Sequence, residues 1–386
     1  MFASSALFFL VVSAMMKRYL IMNMNRNLVQ KVIVAKIGTN VITRENGLLD
    51  EKIIGSLVNQ VVKLKKQGLA VVIVSSGSVA AGQSIVKVAS GADSVTRRQV
   101  LAASGQVELV NTYTKYFAKH HLKCAQILVT KEDFRDRRHY LNIKNCLEAL
   151  LRHDITPIVN ENDAVAINEL MFTDNDELAV LVTAMVDSDR LVILTNVDGV
   201  YKGCPVGDKG EVIKEIKPDE ENLPLCSKPS HKSKMGRGGI LTKVAMAQRA
   251  AGLGITAYVA NGRKRNILLD VLANKAICTT FLPKRKTSSV KKWMAHTKGQ
   301  EKGVVYINQG AEEALTSKKK IASLLPVGVT RIEGNFVKGD IIRIKGEKNN
   351  DIGVGAARYD SQEARQLIGR KGAKSLVRYD YLFLEP

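Results

Sequence analysis

Short runs of apolar residues alternate along the chain with longer segments in which apolar residues recur at helical spacing. Lys31–Ala35 and Val71–Val74 are near-continuous apolar runs, and between them apolar positions recur three or four residues apart from Ile53 to Val62. A strand, a helix and a second strand in this order predict a right-handed crossover between parallel strands. Because strands without polar alternation are buried on both faces, the pattern predicts an α/β domain whose open, mainly parallel sheet is sandwiched by helices.

The same alternation continues to about residue 283. Residues 203–235 interrupt it with prolines, glycines and charges that follow no period, so we predict loops there. The further strands are predicted at Ile127–Val129, Ile155–Val159, Leu191–Leu194 and Ile255–Ala260, and the further helices at Tyr140–Arg152, Glu177–Val186 and Leu241–Ala251.

The chain changes character at residue 284. Residues 284–301 are basic and polar and are predicted to form a linker. Beyond it, closely spaced glycines surround two short apolar runs, Val304–Ile307 and Ile341–Ile344, and one short helix at Gly310–Leu315, which predicts a small mixed-β domain. A chain of 386 residues is too long for one ordinary domain, and we place the two domains at residues 28–283 and 302–386.

Residues 1–27 are predicted to be a leader that is either disordered or translated from a mis-assigned start. Phe2–Met16 is apolar and Lys17 and Arg18 follow it, which reverses the charge order of a secretory signal. A membrane anchor is the alternative, although the run is shorter than the ~20 residues that a membrane helix needs. The five cysteines are scattered without a Cys-x-x-Cys pair, which fits a reducing, cytoplasmic compartment.

The net charge of +21 leaves two interpretations open. It indicates either a lysine-rich solvated surface or a surface that binds nucleic acid or anionic substrates. Three basic clusters lie in the last third of the chain, at residues 284–286, 291–292 and 318–320.

Polar clusters follow four of the predicted strands, beginning after Ala35, Val74, Val159 and Leu194. In open α/β sheets ligands bind beyond the carboxyl ends of the strands, so these clusters are candidates for a ligand site. The densest cluster, residues 159–177, predicts a loop that grips a small polar ligand, with a pair of simple turns as the alternative.

Gly236–Lys243 places glycines before a predicted helix and a lysine within its first turns. Such a helix entry exposes backbone N–H groups to an anion, although a flexible loop is the alternative. Lys36 and Gly38 offer a second lysine and glycine at a strand end, without the spacing of a P-loop. Two lysines and two glycine-containing loops favour phosphoryl transfer, in which the protein mainly positions groups and neutralises charge.

These motifs, in this order, resemble the amino-acid kinase family, and the C-terminal part resembles a PUA domain. The resemblance spans roughly Leu28 to Pro386. The kinase motifs are Lys36–Asn40, Val74–Gly82, Val159–Val165, Asp174–Asp176, Thr195–Tyr201 and Gly236–Lys243. The PUA-like motifs are Gly310–Leu315, Ser323–Val329, Gly334–Asp340 and Tyr359–Ser361.

The resemblance implies ATP-dependent phosphorylation of the γ-carboxylate of L-glutamate, the first step of proline synthesis, with ATP and Mg²⁺ as cofactors. The implied catalytic residues are Lys36, Lys243, Asp174 and Asp176, where an aspartate holds the lysines in place or carries Mg²⁺ through water. The implied substrate-binding residues are Ser76, Asn160, Asp163 and Asn175. The implied ATP-binding residues are Lys36, Gly38, Thr195, Asn196, Arg237, Gly238, Gly239, Ile240, Leu241, Thr242 and Lys243.

Some positions depart from the family pattern, and no dedicated protein metal site is predicted. Asn196 stands where the family often has aspartate, and Arg237, Ile240 and Leu241 replace residues that are usually smaller or sulfur-containing. The resemblance also implies inhibition by proline, a homo-oligomer (dimer or tetramer) and no membrane contact, and it leaves RNA binding by the PUA-like domain open.

Two other functions remain as alternatives. The first is a related kinase acting on acetylglutamate, aspartate or a nucleotide, against which the Asn160–Asp163 stretch and the PUA-like domain argue. The second is an RNA-binding protein that keeps a kinase scaffold. Both lysines are intact and aromatic residues make up only 5 % of the chain, so stacking platforms for RNA bases are few.

Overall fold

The computed structural model describes residues 31–89, 91–165, 172, 174–203, 210–218, 220, 223, 239–284, 301–317 and 322–384. The predicted leader, residues 1–27, lies outside these ranges, as do residues 285–300 of the predicted linker.

The first domain alternates strands and helices, and each predicted strand is present with slightly different bounds. Its elements up to the fourth strand are β1 (Val32–Ile37), α1 (Thr39–Ile42), α2 (Glu51–Lys66), β2 (Ala70–Ser75), α3 (Ser78–Gln83), α4 (Ser94–Ala118), β3 (Lys123–Val129), α5 (Lys131–Arg135), α6 (Arg137–Arg152) and β4 (Ile155–Glu161). The remaining elements are α7 (Asn175–Met185), β5 (Arg190–Thr195), β6 (Glu215–Ile216), α8 (Ile240–Gly252), β7 (Thr256–Asn261), α9 (Ile267–Leu272) and β8 (Cys278–Phe281).

These strands form one eight-stranded sheet in the order β3-β4-β2-β1-β5-β7-β8-β6. The pairs from β3 to β7 are parallel, whereas β8 runs antiparallel to β7. Both faces are buried: Val34 of β1 joins one hydrophobic cluster, and its neighbours Ile33 and Ala35 join the cluster on the other face. Strands β2, β3 and β4 lie on one side of β1, and the strands that follow them in the chain lie on the other side. Sheets of this kind bind ligands at the point where the strand order reverses.

The sequence pattern missed several elements of this domain. Residues 203–235 were predicted to be loops, but Glu215 and Ile216 form β6, which pairs with β8. A strand of two residues is too short to show a period, so the pattern contains no signal for it. The largest missed element is α4, which Asp93 caps by accepting hydrogen bonds from Val95 N and Thr96 N.

A pair of glycines brings α3 and α4 into close contact. A Cβ atom on Gly105 of α4 would overlap the backbone of Ser78 and Gly82, and one on Gly82 of α3 would overlap the backbone of Leu101. Because only glycine fits at both positions, the two helices cross backbone to backbone. This crossing brings α4 alongside the end of β2.

The second domain is a five-stranded mixed sheet, as the glycine-rich pattern predicted, with two short α-helices where the pattern predicted one. Its strands lie in the order β10-β9-β11-β12-β13, and only β9 and β11 pair in parallel. The elements are β9 (Gly303–Ile307), α10 (Gln309–Thr316), β10 (Val329–Gly334), β11 (Ile341–Lys345), β12 (Asp351–Ala356), α11 (Ser361–Gln366) and β13 (Leu382–Leu384). Among the described residues, none of the helices has the length and hydrophobicity that a membrane span requires.

Candidate active site

One buried carboxylate joins two lysines at the carboxyl edge of the sheet. Lys36 comes from the end of β1, Asp176 from the first turn of α7, and Lys243 from the first turn of α8. Lys36 Nζ lies 2.6 Å from Asp176 Oδ1, and Lys243 Nζ donates to Asp176 Oδ2 over 2.8 Å. Asp176 is 0 % exposed, and both lysines are buried. The arrangement holds two ammonium groups at a fixed separation inside the protein.

The charges of this triad stabilise one another against the cost of burial. Burial by itself would raise the pKa of Asp176, but the ammonium groups of Lys36 and Lys243 outweigh it and lower that pKa to about 2. Burial lowers the pKa of Lys36, and the charge of Lys243 adds to this effect while Asp176 opposes it. The carboxylate is therefore ionised at neutral pH, and the group carries one net positive charge when both lysines are protonated.

Asp174 is placed by a helix cap. Its Oδ1 accepts hydrogen bonds from Asp176 N at 2.8 Å and Glu177 N at 3.1 Å, which begins α7 and orients Asp176. Its Oδ2 is buried and accepts no hydrogen bond from the described residues. Burial, together with the nearby charge of Asp176, raises the pKa of Asp174. This oxygen is thus available to a ligand or ion.

A network of amides lies beside the triad and contains three of the predicted substrate-binding residues. Asn175 Nδ2 lies within hydrogen-bond distance of three acceptors, which share its two hydrogens: Asn160 Oδ1 at 2.8 Å, Ser76 Oγ at 3.0 Å and Ser75 O at 3.1 Å. Asn160 Nδ2 in turn donates to Gln106 Oε1 at 2.8 Å. The structure therefore joins the ends of β2 and β4 and the start of α7 into one polar surface.

Asp163, the fourth predicted substrate-binding residue, is paired with an arginine. Arg98 of α4 donates to Asp163 Oδ1 from Nε at 3.1 Å and from Nη2 at 2.7 Å. Ser78 Oγ lies 3.4 Å from Asp163 Oδ2. In this structure the carboxylate is held from both sides, by α4 and by the start of α3.

The predicted nucleotide-binding residues of the strands lie at the ends of β1 and β5. Gly38 N donates to Leu194 O over 3.2 Å, which joins the two strand ends. Thr195 is buried, whereas Asn196 is exposed. The end of β5 therefore carries one buried polar side chain followed by an exposed one.

The other predicted nucleotide-binding residues surround the start of α8. Gly239 precedes this helix in an extended conformation, and Thr242 Oγ1 donates back to the Gly239 carbonyl at 2.7 Å. Ile240 is half-buried and Leu241 is 51 % exposed, so the first turn of α8 presents its apolar side chains partly to solvent. The two remaining members of this group, Arg237 and Gly238, lie outside the described residues.

Two polar residues of the site were not among the predicted ones. Arg98 and Gln106 both come from α4, which contacts the end of β4 through them. The Asp93 cap and the spacing of Leu101, Leu109 and Phe117 are signals for this helix. Neither signal shows which strand end the polar side of the helix contacts.

Comparison with known proteins identifies the family of this chain. Residues 31–261 match the profile of the amino acid kinase family, which is more than half of the chain, and residues 303–377 match the PUA domain. The chain belongs to the amino-acid kinase family. The predicted fold class and the prediction of a kinase followed by a PUA domain are therefore confirmed.

Two bacterial relatives resemble this amino-acid kinase over nearly their whole length. Glutamate 5-kinase from Chlorobaculum tepidum is 48 % identical over 358 residues, covering 93 % of this chain and 98 % of the relative. Glutamate 5-kinase from Bacteroides thetaiotaomicron is 45 % identical over 356 residues, covering 92 % and 98 %. Among solved structures, carbamate kinase from Giardia lamblia bound to AMP-PNP superposes with a TM-score of 0.48 at 17 % identity, covering 66 % of this chain and 99 % of that one.

Proposed function

We propose that this kinase transfers the γ-phosphoryl group of ATP to the γ-carboxylate of L-glutamate, which yields L-glutamyl 5-phosphate and ADP in the first step of proline biosynthesis. The single observation that carries the proposal is the Asp176 carboxylate holding Lys36 and Lys243 beside the amide network. The glutamate 5-kinases at 48 % and 45 % identity support glutamate as the substrate.

The two lysines neutralise the charge of the transferring phosphoryl group. An ammonium about 4 Å from a phosphoryl oxygen contributes on the order of 4 kcal/mol at an effective dielectric constant of about 20. Because Asp176 already holds both lysines, little reorganisation is needed when the transition state forms. No general base is required, since the attacking carboxylate is ionised at pH 7.

The amide network and Asp163 hold the amino acid. Ser76, Asn160 and Asn175 present hydroxyl and amide groups that hydrogen-bond to carboxylates, and their mutual hydrogen bonds fix their orientation. Asp163 supplies the negative charge for the substrate ammonium. The resulting pose directs the γ-carboxylate toward the lysine pair.

The nucleotide lies on the other side of the lysine pair in this proposal. Thr195 and Asn196 contact it, and residues 237–243 cover its phosphates. Asp174 would hold the Mg²⁺ of the nucleotide through water, since its Oδ2 is buried and accepts no hydrogen bond from the described residues. Mg²⁺ commonly uses one or two carboxylates together with substrate phosphates, and when bound it would neutralise phosphate charge.

A hydroxamate assay for γ-glutamyl phosphate, with ATP and Mg²⁺, tests the proposal on wild type and Lys243→Ala. We expect Lys243→Ala to lower kcat by about three orders of magnitude, because that is the rate equivalent of about 4 kcal/mol. Lys66→Ala, which removes an exposed lysine of α2, is the matched control and should retain wild-type activity. If folded wild-type protein releases no ADP in response to glutamate, the proposal is wrong.

Feedback inhibition by proline and assembly into a dimer or tetramer belong to the same proposal. Proline shares the α-ammonium and α-carboxylate of glutamate, so it would compete for the groups that hold them. The expected signature is a glutamate KM that rises with proline concentration while kcat stays constant.

A further inference from the structure

Arg98 is a charged residue of the site to which the proposed function assigns no role. It stands near the start of α4, and two of its N–H groups donate to Asp163 Oδ1. Its side chain is 30 % exposed, whereas that of Asp163 is 6 % exposed. The carboxylate is therefore buried, and the guanidinium covers it from the solvent side.

The pair matches the charges of an α-amino acid. A free amino acid carries an ammonium and a carboxylate on one carbon atom, so a site that binds it needs an anion and a cation close together. Asp163 and Arg98 provide them within 2.7 Å. Arginine is suited to this task because its planar guanidinium binds a carboxylate through two parallel hydrogen bonds.

Some N–H groups of the Arg98 guanidinium are not used in the contact with Asp163. Asp163 Oδ1 takes one hydrogen from Nε and one from Nη2, and within the described residues no other acceptor is bonded to Arg98. The remaining N–H groups lie on a partly exposed side chain. A small anion arriving from solvent can reach them without breaking the contact with Asp163.

We propose that Arg98 binds the α-carboxylate of the amino-acid substrate while Asp163 binds its α-ammonium, so that this ion pair selects α-amino acids. The inference rests on the proposed function, since it names a contact to glutamate. It makes Arg98 a specificity-determining residue at the end of the substrate remote from the lysine pair.

Two other roles for Arg98 predict different kinetics. If Arg98 only occupies Asp163 until the substrate ammonium displaces it, removing the arginine should lower the glutamate KM. If it only holds α4 against the end of β4, its removal should lower kcat/KM equally for every substrate, whether or not that substrate has an α-carboxylate.

The test compares L-glutamate with 4-aminobutyrate, which keeps the reacting carboxylate but lacks the α-carboxylate. For Arg98→Met we expect the glutamate KM to rise about 10–100-fold, as for the loss of a charged hydrogen bond, with kcat changed by less than about threefold. The kcat/KM for 4-aminobutyrate should stay near its wild-type value, so the preference for glutamate falls by the same 10–100-fold. Arg98→Lys should recover part of the preference.

Arg97→Met is the matched control, because Arg97 is the exposed neighbour on the same helix and should leave both substrates unaffected. Thermal unfolding checks that the variants fold, and Arg98→Gln replaces Arg98→Met if the latter does not. An equal loss for both substrates, a lowered glutamate KM, or an unchanged preference would each overturn the inference. These outcomes require an active wild type, whereas an inactive, folded wild type would overturn the proposed function as well.

Discussion

Asp176 is the residue on which the lysine pair depends. It has no exposed surface, and each of its carboxylate oxygens faces a different lysine. Removing one member of a buried ion pair leaves an uncompensated charge and commonly costs about 3–5 kcal/mol. These contacts therefore stabilise the fold, and under the proposed function they also hold the two lysines that act on the phosphoryl group.

The pKa of Asp176 predicts how stability changes in acid. Its folded-state pKa of about 2 lies below the ordinary value of 3.8, so the charged carboxylate stabilises the folded state above about pH 4. This contribution, roughly 2 kcal/mol, is lost as the pH falls from about 4 to about 2. We expect Asp176→Asn to be less stable than wild type at pH 5 and the difference to shrink toward pH 2.

Urea unfolding at a series of pH values measures this effect. Asp154→Asn is a suitable control, because Asp154 is largely exposed and asparagine tolerates its left-handed backbone. A stability difference between Asp176→Asn and wild type that stays constant from pH 5 to pH 2 would contradict the assignment.

At the scale of elements, the crossing of α3 and α4 decides where the two side chains that contact Asp163 lie. Gly82 and Gly105 permit the backbones to touch, and the crossing brings together Ser78 of α3 and Arg98 of α4, which both contact Asp163. A wider crossing would move one of these contacts away from the other. Under the proposed function, these two glycines therefore contribute to substrate binding without contacting the substrate.

Gly105→Ala tests this arrangement. The added methyl group would overlap the backbone of Ser78 and Gly82, so we expect a loss of about 1–3 kcal/mol in unfolding free energy and a raised glutamate KM. Gly252→Ala at the end of α8 meets no atom within 4 Å, so it should leave the glutamate KM unchanged and raise the unfolding free energy by about 0.4–1 kcal/mol. Chemical denaturation and steady-state kinetics on the same preparations would separate the two effects.

The polar residues at the strand ends could be predicted from the sequence. The contact that the polar side of α4 makes with them could not. Lys36, Ser76 and Asn160 each follow a buried apolar run, and parallel strands bring their carboxyl ends to one edge. Arg98 and Gln106 lie far from those runs in the chain, on a helix whose partner is selected by the packing of two glycines. Helical spacing contains no information about that partner.

At the scale of the whole molecule, the chain combines a kinase domain with a PUA domain and a net charge of +21. A large positive charge attracts polyanions without regard to sequence. RNA binding by the PUA domain stays a prediction, and its electrostatic part can be measured directly.

We expect RNA affinity to fall steeply between about 50 and 200 mM salt, since each phosphate contact releases counterions. Replacing the exposed Arg370 and Lys371 of the PUA domain by glutamine should reduce the salt slope by about one for each phosphate that the variant no longer binds. Replacing the exposed Lys63 and Lys66 of the kinase domain is the control. If both pairs of substitutions reduce the salt slope equally, the protein attracts RNA through its overall charge and not through a binding surface on the PUA domain.

The positions of the two lysines in the chain determine when the lysine pair can form during synthesis. Lys36 belongs to the first strand of the kinase domain, and Lys243 to the helix before its last two strands in the chain. During synthesis, Asp176 can meet only the first lysine until α8 has left the ribosome and packed. If both lysines act in phosphoryl transfer as proposed, the nascent chain is inactive until nearly the whole domain has assembled, and the onset of activity reports completed folding.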